Sequence, residues 1–327
     1  MTSLFGQDVQ LRTMLSAAAG GRMHHGWILA GAKGIGKASF ARAVALRLLA
    51  EAAGPPPEDG PDGAVSEDHP IARLIAAGAH PDYIALERLE KDNGDLARNI
   101  SVDQVRSLQR LFSNRPSLSE RRIVLIDCAD DLERGAANAL LKNLEEPPTG
   151  TLFLLVTHAP SRLLPTIRSR CRMLRFSPLA DDRMRQVVQA NLPDASEAEV
   201  AALMIIGEGS PGRALDFAGL RVDEIEAALW AILNGGDPDN RHRLTMARAM
   251  AGKAARPRYE AFLERAPAFI AAAARTRKGP ALRDAVDAWE QARRLVSGAV
   301  VLALDPASVV FDLCSLVAGL SPAREMV

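Results

Sequence analysis

WILAGAKGIGKASFARAVALRLLA (27–50) joins a short apolar run, a glycine-rich turn and a helix-forming stretch in that order. Trp27 to Ala30 reads as a strand and Lys37 to Ala50 as a helix. Gly31, Gly34, Gly36 and Lys37 lie between and at the junction, the context a phosphate-binding loop requires. Glycines allow backbone N–H groups to turn inward onto phosphate oxygens, and the helix N-terminus adds its positive dipole. Lys37 would reach the outer phosphates. The residue after Gly36-Lys37 should carry a hydroxyl for magnesium, but it is Ala38. Ser39 follows, rotated by about 100° on a helix. The loop therefore lacks one metal ligand, and nucleotide binding is left open.

A second motif meets the first. IVLIDCADDL (123–132) is an apolar strand ending in Asp127, which could face a metal. A hydrolysing site of this kind needs a carboxylate next, to activate water. Cys128 stands there, neutral and a poor base near neutral pH. Loss of a general base costs about 10²–10⁴ in rate. Asp130 or Asp131 is the alternative base, although the chain is already turning into a helix at that point.

Further strands are read at YIAL (83–86), LFLLV (152–156) and RMLRF (172–176). With 27–30 and 123–126 they make five, several apolar throughout as strands buried on both faces are. Their alternation with helical stretches predicts a parallel sheet covered by helices. EAAGPPPEDGPDGAVSEDHP (51–70) breaks the pattern and reads as a flexible surface insertion. Beyond Ser177-Pro178 the chain turns helical. Three parts are expected: an α/β domain over 1–177, a small helical domain over 178–220 and a helical bundle over 221–327. Val222, Ile225, Leu229 and Ile232 form one bundle stripe; Leu282, Val286, Trp289 and Val296 form another. Asp305-Pro306 opens the last helix.

The chain has 327 residues, 48% hydrophobic and 4% aromatic, so its cores rest on aliphatic side chains. Lysine plus arginine and aspartate plus glutamate number 40 each, which gives no global attraction to nucleic acid or anionic lipid. Three distant cysteines supply neither a disulfide framework nor a CxxC zinc pair. No apolar run approaches the roughly 18 residues of a membrane span. A soluble, cytoplasmic protein is expected.

NALLKNLEEPP (138–148), TLFLLVTHAP (151–160), LLPTIRSRC (163–171) and GSPGRAL (209–215) follow the phosphate loop and acidic strand in order. HPD (80–82), ISVDQVRSL (100–108) and the opening LFGQDVQLRTML (4–15) belong to the same set. Together they resemble the AAA+ subunits of bacterial DNA polymerase III clamp loaders. The resemblance implies an AAA+ α/β domain, a helical lid and a C-terminal collar bundle. It implies gamma/tau and delta subunits as partners, and the sliding clamp and primed DNA through the assembled complex, with no membrane. The degenerate motifs favour a non-hydrolysing subunit; an active gamma/tau-like ATPase is the alternative, and a pure scaffold a third reading. In the family the arginine of the SRC triplet, here Arg170, enters a neighbour's ATP site; otherwise it is a surface arginine beside Arg168 and Arg172. Arg213 would touch phosphates from the lid or merely hold the lid closed. Thr157 and His158 stand where relatives place a nucleotide sensor. Relatives often carry a four-cysteine zinc module before HPD; this chain has none there, so no zinc is expected. No cofactor is required, and ATP or ADP binding stays open.

Overall fold

A computed structural model describes residues 6–54, 64–92, 94–113 and 115–322. Residues 55–63 of the Pro/Gly/acid insertion lie outside the described residues; residues 51–53 and 70 are helical and Val65 is buried, so the reading of 51–70 as one surface insertion is too wide. No helix among the described residues is long and apolar enough to cross a membrane.

Five strands form one parallel sheet: β1 (Gly26–Ala30), β2 (Tyr83–Glu87), β3 (Arg122–Asp127), β4 (Thr151–Thr157) and β5 (Arg172–Arg175), in the order β2-β3-β4-β1-β5. The five apolar runs read from sequence are these five strands. Central β1 and β4 are buried at every position, and β3 at all but its last. Side chains alternate between faces, and this splits the core in two. Trp27, Leu29, Ile123, Leu125, Leu154 and Val156 pack against α1 (Asp8–Ala19), α2 (Lys37–Ala53) and α3 (Pro70–Ala76). Ile28, Val124, Ile126, Phe153 and Leu155 pack against α4 (Val102–Phe112), α5 (Arg134–Glu145) and α6 (Pro165–Ser169). RMLRF is only partly interior, because β5 is an edge strand with Met173 exposed.

Local chemistry fixes where these elements begin. Ser101 Oγ accepts from Gln104 N at 3.3 Å while Gln104 Oε1 accepts from Ser101 N at 3.0 Å, a capping box that starts α4. The HPD triplet is a structural tie. Asp82 is buried and accepts from the backbone N–H of Ser117 and Leu118, each at 2.9 Å to its nearer oxygen. His80 Nδ1 accepts from Asp82 N at 3.0 Å.

The described residues gather into two compact units. One comprises those up to Val187 together with Gly209–Gly212; the other comprises Val188–Glu208 and those from Arg213 onward. The segment 178–220, with α7 (Asp181–Asn191), α8 (Glu197–Gly207) and α9 (Pro211–Asp216), is shared between them.

The second unit is helical, with α10 (Val222–Gly235), α11 (Arg241–Ala249), α12 (Arg256–Arg275), α13 (Gly279–Val301) and α14 (Pro306–Gly319) around one core. Val222, Ile225, Leu229 and Ile232 are buried as their spacing predicts. Asp305 caps α14 by accepting from Ser308 N at 2.8 Å, with Pro306 in its first turn. Of the stripe read on α13, Trp289 and Val296 pack against the core and the other two residues do not. The helix turns mainly alanines inward. Its buried residues are Ala285, Ala288, Ala292 and Ala299, while Leu282 is 38% and Val286 40% exposed. Alanines let neighbouring backbones approach closely, so the small residues face inward, and a reading weighted by bulk selects the adjacent face.

Two charge pairs are buried in this unit. Arg265 and Glu226 form a bidentate pair. Arg243 bonds Asp237 at 3.1 Å and Ser315 Oγ at 3.1 Å, and its guanidinium lies over the Phe311 ring. Burial alone would raise the Asp237 carboxyl. The N–H groups of His242 and Arg243 and the Arg243 side chain outweigh that and hold it below the usual range. Its folded value therefore lies below the unfolded value of about 3.9, so its stabilisation is complete above about pH 4 and is lost as pH falls through the folded value. Asp237→Ala leaves Arg243 buried without its carboxylate and is expected to cost about 3–5 kcal/mol in chemical denaturation at pH 7. That deficit should shrink in titrations carried below the Asp237 folded value.

Candidate nucleotide and arginine sites

The glycine loop leaves β1 at the carboxyl edge of the sheet. Gly34 and Gly36 have φ of 76° and 94°, left-handed values that glycine adopts without strain. Gly31 is needed for another reason: a Cβ there would lie 2.7 Å from the Phe176 carbonyl oxygen, at the end of β5. Lys37 is 2% exposed. Its ammonium donates to the Gly31 and Ala32 carbonyls at 2.7 and 2.6 Å, so it is turned onto its own loop. Burial lowers its pKa to about 8, against the opposing pull of Cys128, Asp130 and Asp127. Ser39 lines a cleft with Leu11, Ala43, Leu46 and Ile75.

Ser210 and Gly212 of GSPGRAL lie against the loop. Ser210 Oγ donates to the Lys33 carbonyl at 2.7 Å and Gly212 N to the Gly34 carbonyl at 2.7 Å. A Cβ on Gly212 would sit 2.8 Å from Gly34 Cα.

Asp127 ends β3 and bonds Arg42 of α2 at 3.2 Å; Arg42 also holds Glu87, the residue level with Asp127 on β2, at 2.6 Å. Burial raises the Asp127 carboxyl above its usual value, with Arg42 opposing. The Cys128 thiol is buried and donates to Asp130 Oδ2 at 2.7 Å; burial foremost pushes its pKa up to about 12. It is no base at neutral pH. Asp130 accepts three further bonds: from Thr157 Oγ1 at 2.9 Å, His158 N at 2.6 Å and Ala159 N at 3.2 Å. Burial would raise its carboxyl, but the donors prevail, led by Cys128, and hold it below the ordinary range. A carboxylate so held is a weak proton acceptor. Asp131 pairs with Arg88 at 3.2 Å. Thr157 is fully buried and spends its hydroxyl on Asp130. The His158 ring is kept below its usual pKa by burial first, then by Lys37.

Sequence reasoning did not foresee that Asp130 ties the ends of β3 and β4 together. Nothing in the spacing couples Asp130 to Thr157, 27 positions away. Nor did it foresee Arg42, whose place five residues after Lys37 aims it at the acidic strand ends.

Arg170 lies between α6 and β5 at the amino edge of the sheet. Its guanidinium pairs with Glu145 at 2.8 Å and donates to the Thr166 carbonyl at 3.1 Å. Trp27 is level with Arg172, and Ala30 with Arg175. The strand from Arg172 to Phe176 thus separates Arg170 from the level of Gly31, about 13 Å at 3.3 Å per residue. Arg213, in the helical unit, bonds Glu208 at 3.3 Å and Glu264 at 3.0 Å. His24 and His25, which precede β1, are half-buried and stacked. Cys128 and Cys314 are buried and Cys171 partly so, all as free thiols.

A five-stranded parallel sheet with a glycine loop after β1 and an acidic β3 defines the α/β unit as one of the phosphate-loop, AAA+ class. The family model described as "DNA polymerase III, delta subunit" matches residues 6–180, more than half of the chain, and the chain belongs to that family. A Pseudomonas aeruginosa protein named DNA polymerase III subunit delta' is 39% identical over 212 residues, covering 64% of this chain and 60% of its own length. The protein of the same name from Escherichia coli is 33% identical over 203 residues, covering 62% and 57%. DNA polymerase III subunit tau of Escherichia coli is 31% identical over 212 residues, covering 64% of this chain and 31% of that protein. The match thus spans less than two thirds of the length of each of these relatives.

Gly31→Ala is expected to lower stability by about 1–3 kcal/mol through overpacking against Phe176. Denaturation without nucleotide tests this: an unchanged midpoint would mean the glycine serves only a ligand.

Proposed function

We propose that this chain is a non-hydrolysing, delta-prime-like subunit of a bacterial DNA polymerase III clamp loader. It works in the cytoplasm with gamma/tau and delta subunits, and through the complex on the sliding clamp and primed DNA. Its own site requires no cofactor. ATP or ADP would enter only if Lys37 released the Gly31 and Ala32 carbonyls.

The observation that carries this reading is the location of Arg170. It lies at the amino edge of the sheet, with its guanidinium oriented by Glu145, while the glycine loop lies at the carboxyl edge. An arginine so placed is remote from its own loop and available to a neighbouring molecule. A guanidinium inserted beside a neighbour's ATP neutralises charge that grows on the transferred phosphoryl group. Such a residue is worth about 10³–10⁵ in rate. The water-activating position supports the same division of labour. Cys128 is a buried thiol, and Asp130 and Asp131 are both engaged. The helical unit fits the collar role: Leu282 and Val286 stand exposed on α13, as an assembly face requires. The zero formal charge agrees with DNA contact made through partners.

In a reconstituted loader, Arg170→Ala is expected to lower ATP turnover at the adjoining site by about 10³ or more, with the complex still assembled. The chain alone is expected to hydrolyse no ATP. Brisk magnesium-dependent turnover by the isolated protein would favour the active gamma/tau-like reading. Normal turnover with Arg170→Ala would leave only a scaffold. Leu282→Glu combined with Val286→Glu should weaken assembly about tenfold, near 1.4 kcal/mol, without changing helix content by circular dichroism.

A further inference from the structure

We propose that Cys128, Asp130 and His158 form a binding site for a thiophilic divalent cation of the zinc class. The Cys128 sulfur, an Asp130 carboxylate oxygen and a His158 ring nitrogen all lie within 4.8 Å of one another. They come from the segments that follow β3 and β4, neighbouring strands whose carboxyl ends the sheet brings together. The sequence-based expectation of no zinc rested on the missing four-cysteine module. These three residues belong to no such module, and the site does not depend on the clamp-loader reading.

The donor set selects the metal. A thiolate, an imidazole and a carboxylate suit zinc, whereas magnesium takes oxygen ligands and keeps its waters. Tetrahedral zinc at its usual bond lengths spaces sulfur and nitrogen ligands about 3.6 Å apart. Reaching that spacing takes shifts of about 1 Å, within side-chain reach. The Cys128–Asp130 contact, 2.7 Å with its shared proton, opens, and the more distant ligand atom closes in. The Cys128 S–H bond breaks, its proton passes to solvent, and a sulfur–metal bond forms with no change of oxidation state.

The carboxylate is already oriented. Thr157 Oγ1 and the N–H groups of His158 and Ala159 hold Asp130 in place, the outer shell that metal-binding carboxylates usually have. Burial is graded: Cys128 is enclosed, Asp130 intermediate and His158 exposed, so the fourth coordination position opens to water. Lys33 acts on the His158 ring through space, and two further cations nearby are engaged. Lys37 bonds its loop carbonyls and Arg42 bonds Asp127 and Glu87. The incoming double charge is matched by the new thiolate and the Asp130 carboxylate.

The test is cobalt(II) titration of the purified full-length chain, followed by zinc displacement. The expected result is one cobalt per chain, with a thiolate-to-cobalt charge-transfer band and intense tetrahedral visible bands. The bands should vanish in Cys128→Ser and His158→Gln and persist in Cys171→Ser. Thr157→Val keeps all three ligands and should weaken zinc about tenfold or more. Zinc-edge X-ray absorption on the unaltered chain serves as a measurement free of folding effects in the variants, with one sulfur among the ligands expected. No cobalt bands, bands that survive Cys128→Ser, or a zinc shell with no sulfur would overturn the site.

Discussion

In a parallel sheet buried on both faces, all strand carboxyl ends emerge at one edge and all amino ends at the other. The rest of the α/β unit follows from that constraint. The glycine loop, Asp127, the Cys128–Asp130 knot and Thr157 converge at the carboxyl edge because β1, β3 and β4 end there. Arg170 precedes β5 and is therefore left at the opposite edge. A single topological rule thus keeps the chain's arginine away from the chain's own phosphate loop.

At the carboxyl edge, charges that would otherwise await a nucleotide and its metal are satisfied by protein. Lys37 is bonded to carbonyls, Asp127 to Arg42, and Asp130 to four donors. Buried polar groups are costly unless paired, and each pairing raises the cost of reopening the site. The helical unit applies the same rule at Asp237–Arg243 and Glu226–Arg265, where paired charge sits among aliphatic side chains.

The parts of this molecule legible in its sequence were those written as local pattern. The five strands and the Asp305-Pro306 opening of α14 each depend on residues within a few positions of one another. The glycine loop and the loss of a carboxylate at Cys128 are equally local. What escaped depends on partners far apart in sequence. Asp130 meets Thr157, Arg170 meets Glu145 and Arg42 meets Glu87 only once the sheet has formed. The inward alanines of α13 escaped for another reason: they carry little hydrophobic signal but allow the closest packing.

Gly31 illustrates how a motif residue can serve the fold as well as a ligand. Phe176 fills the space above it, so folding alone rejects any side chain there. Part of the phosphate-loop signature is in this sense architectural, kept by steric demand whether or not a nucleotide binds. Counting such glycines in a chain of this kind measures descent of the scaffold and says little about surviving chemistry.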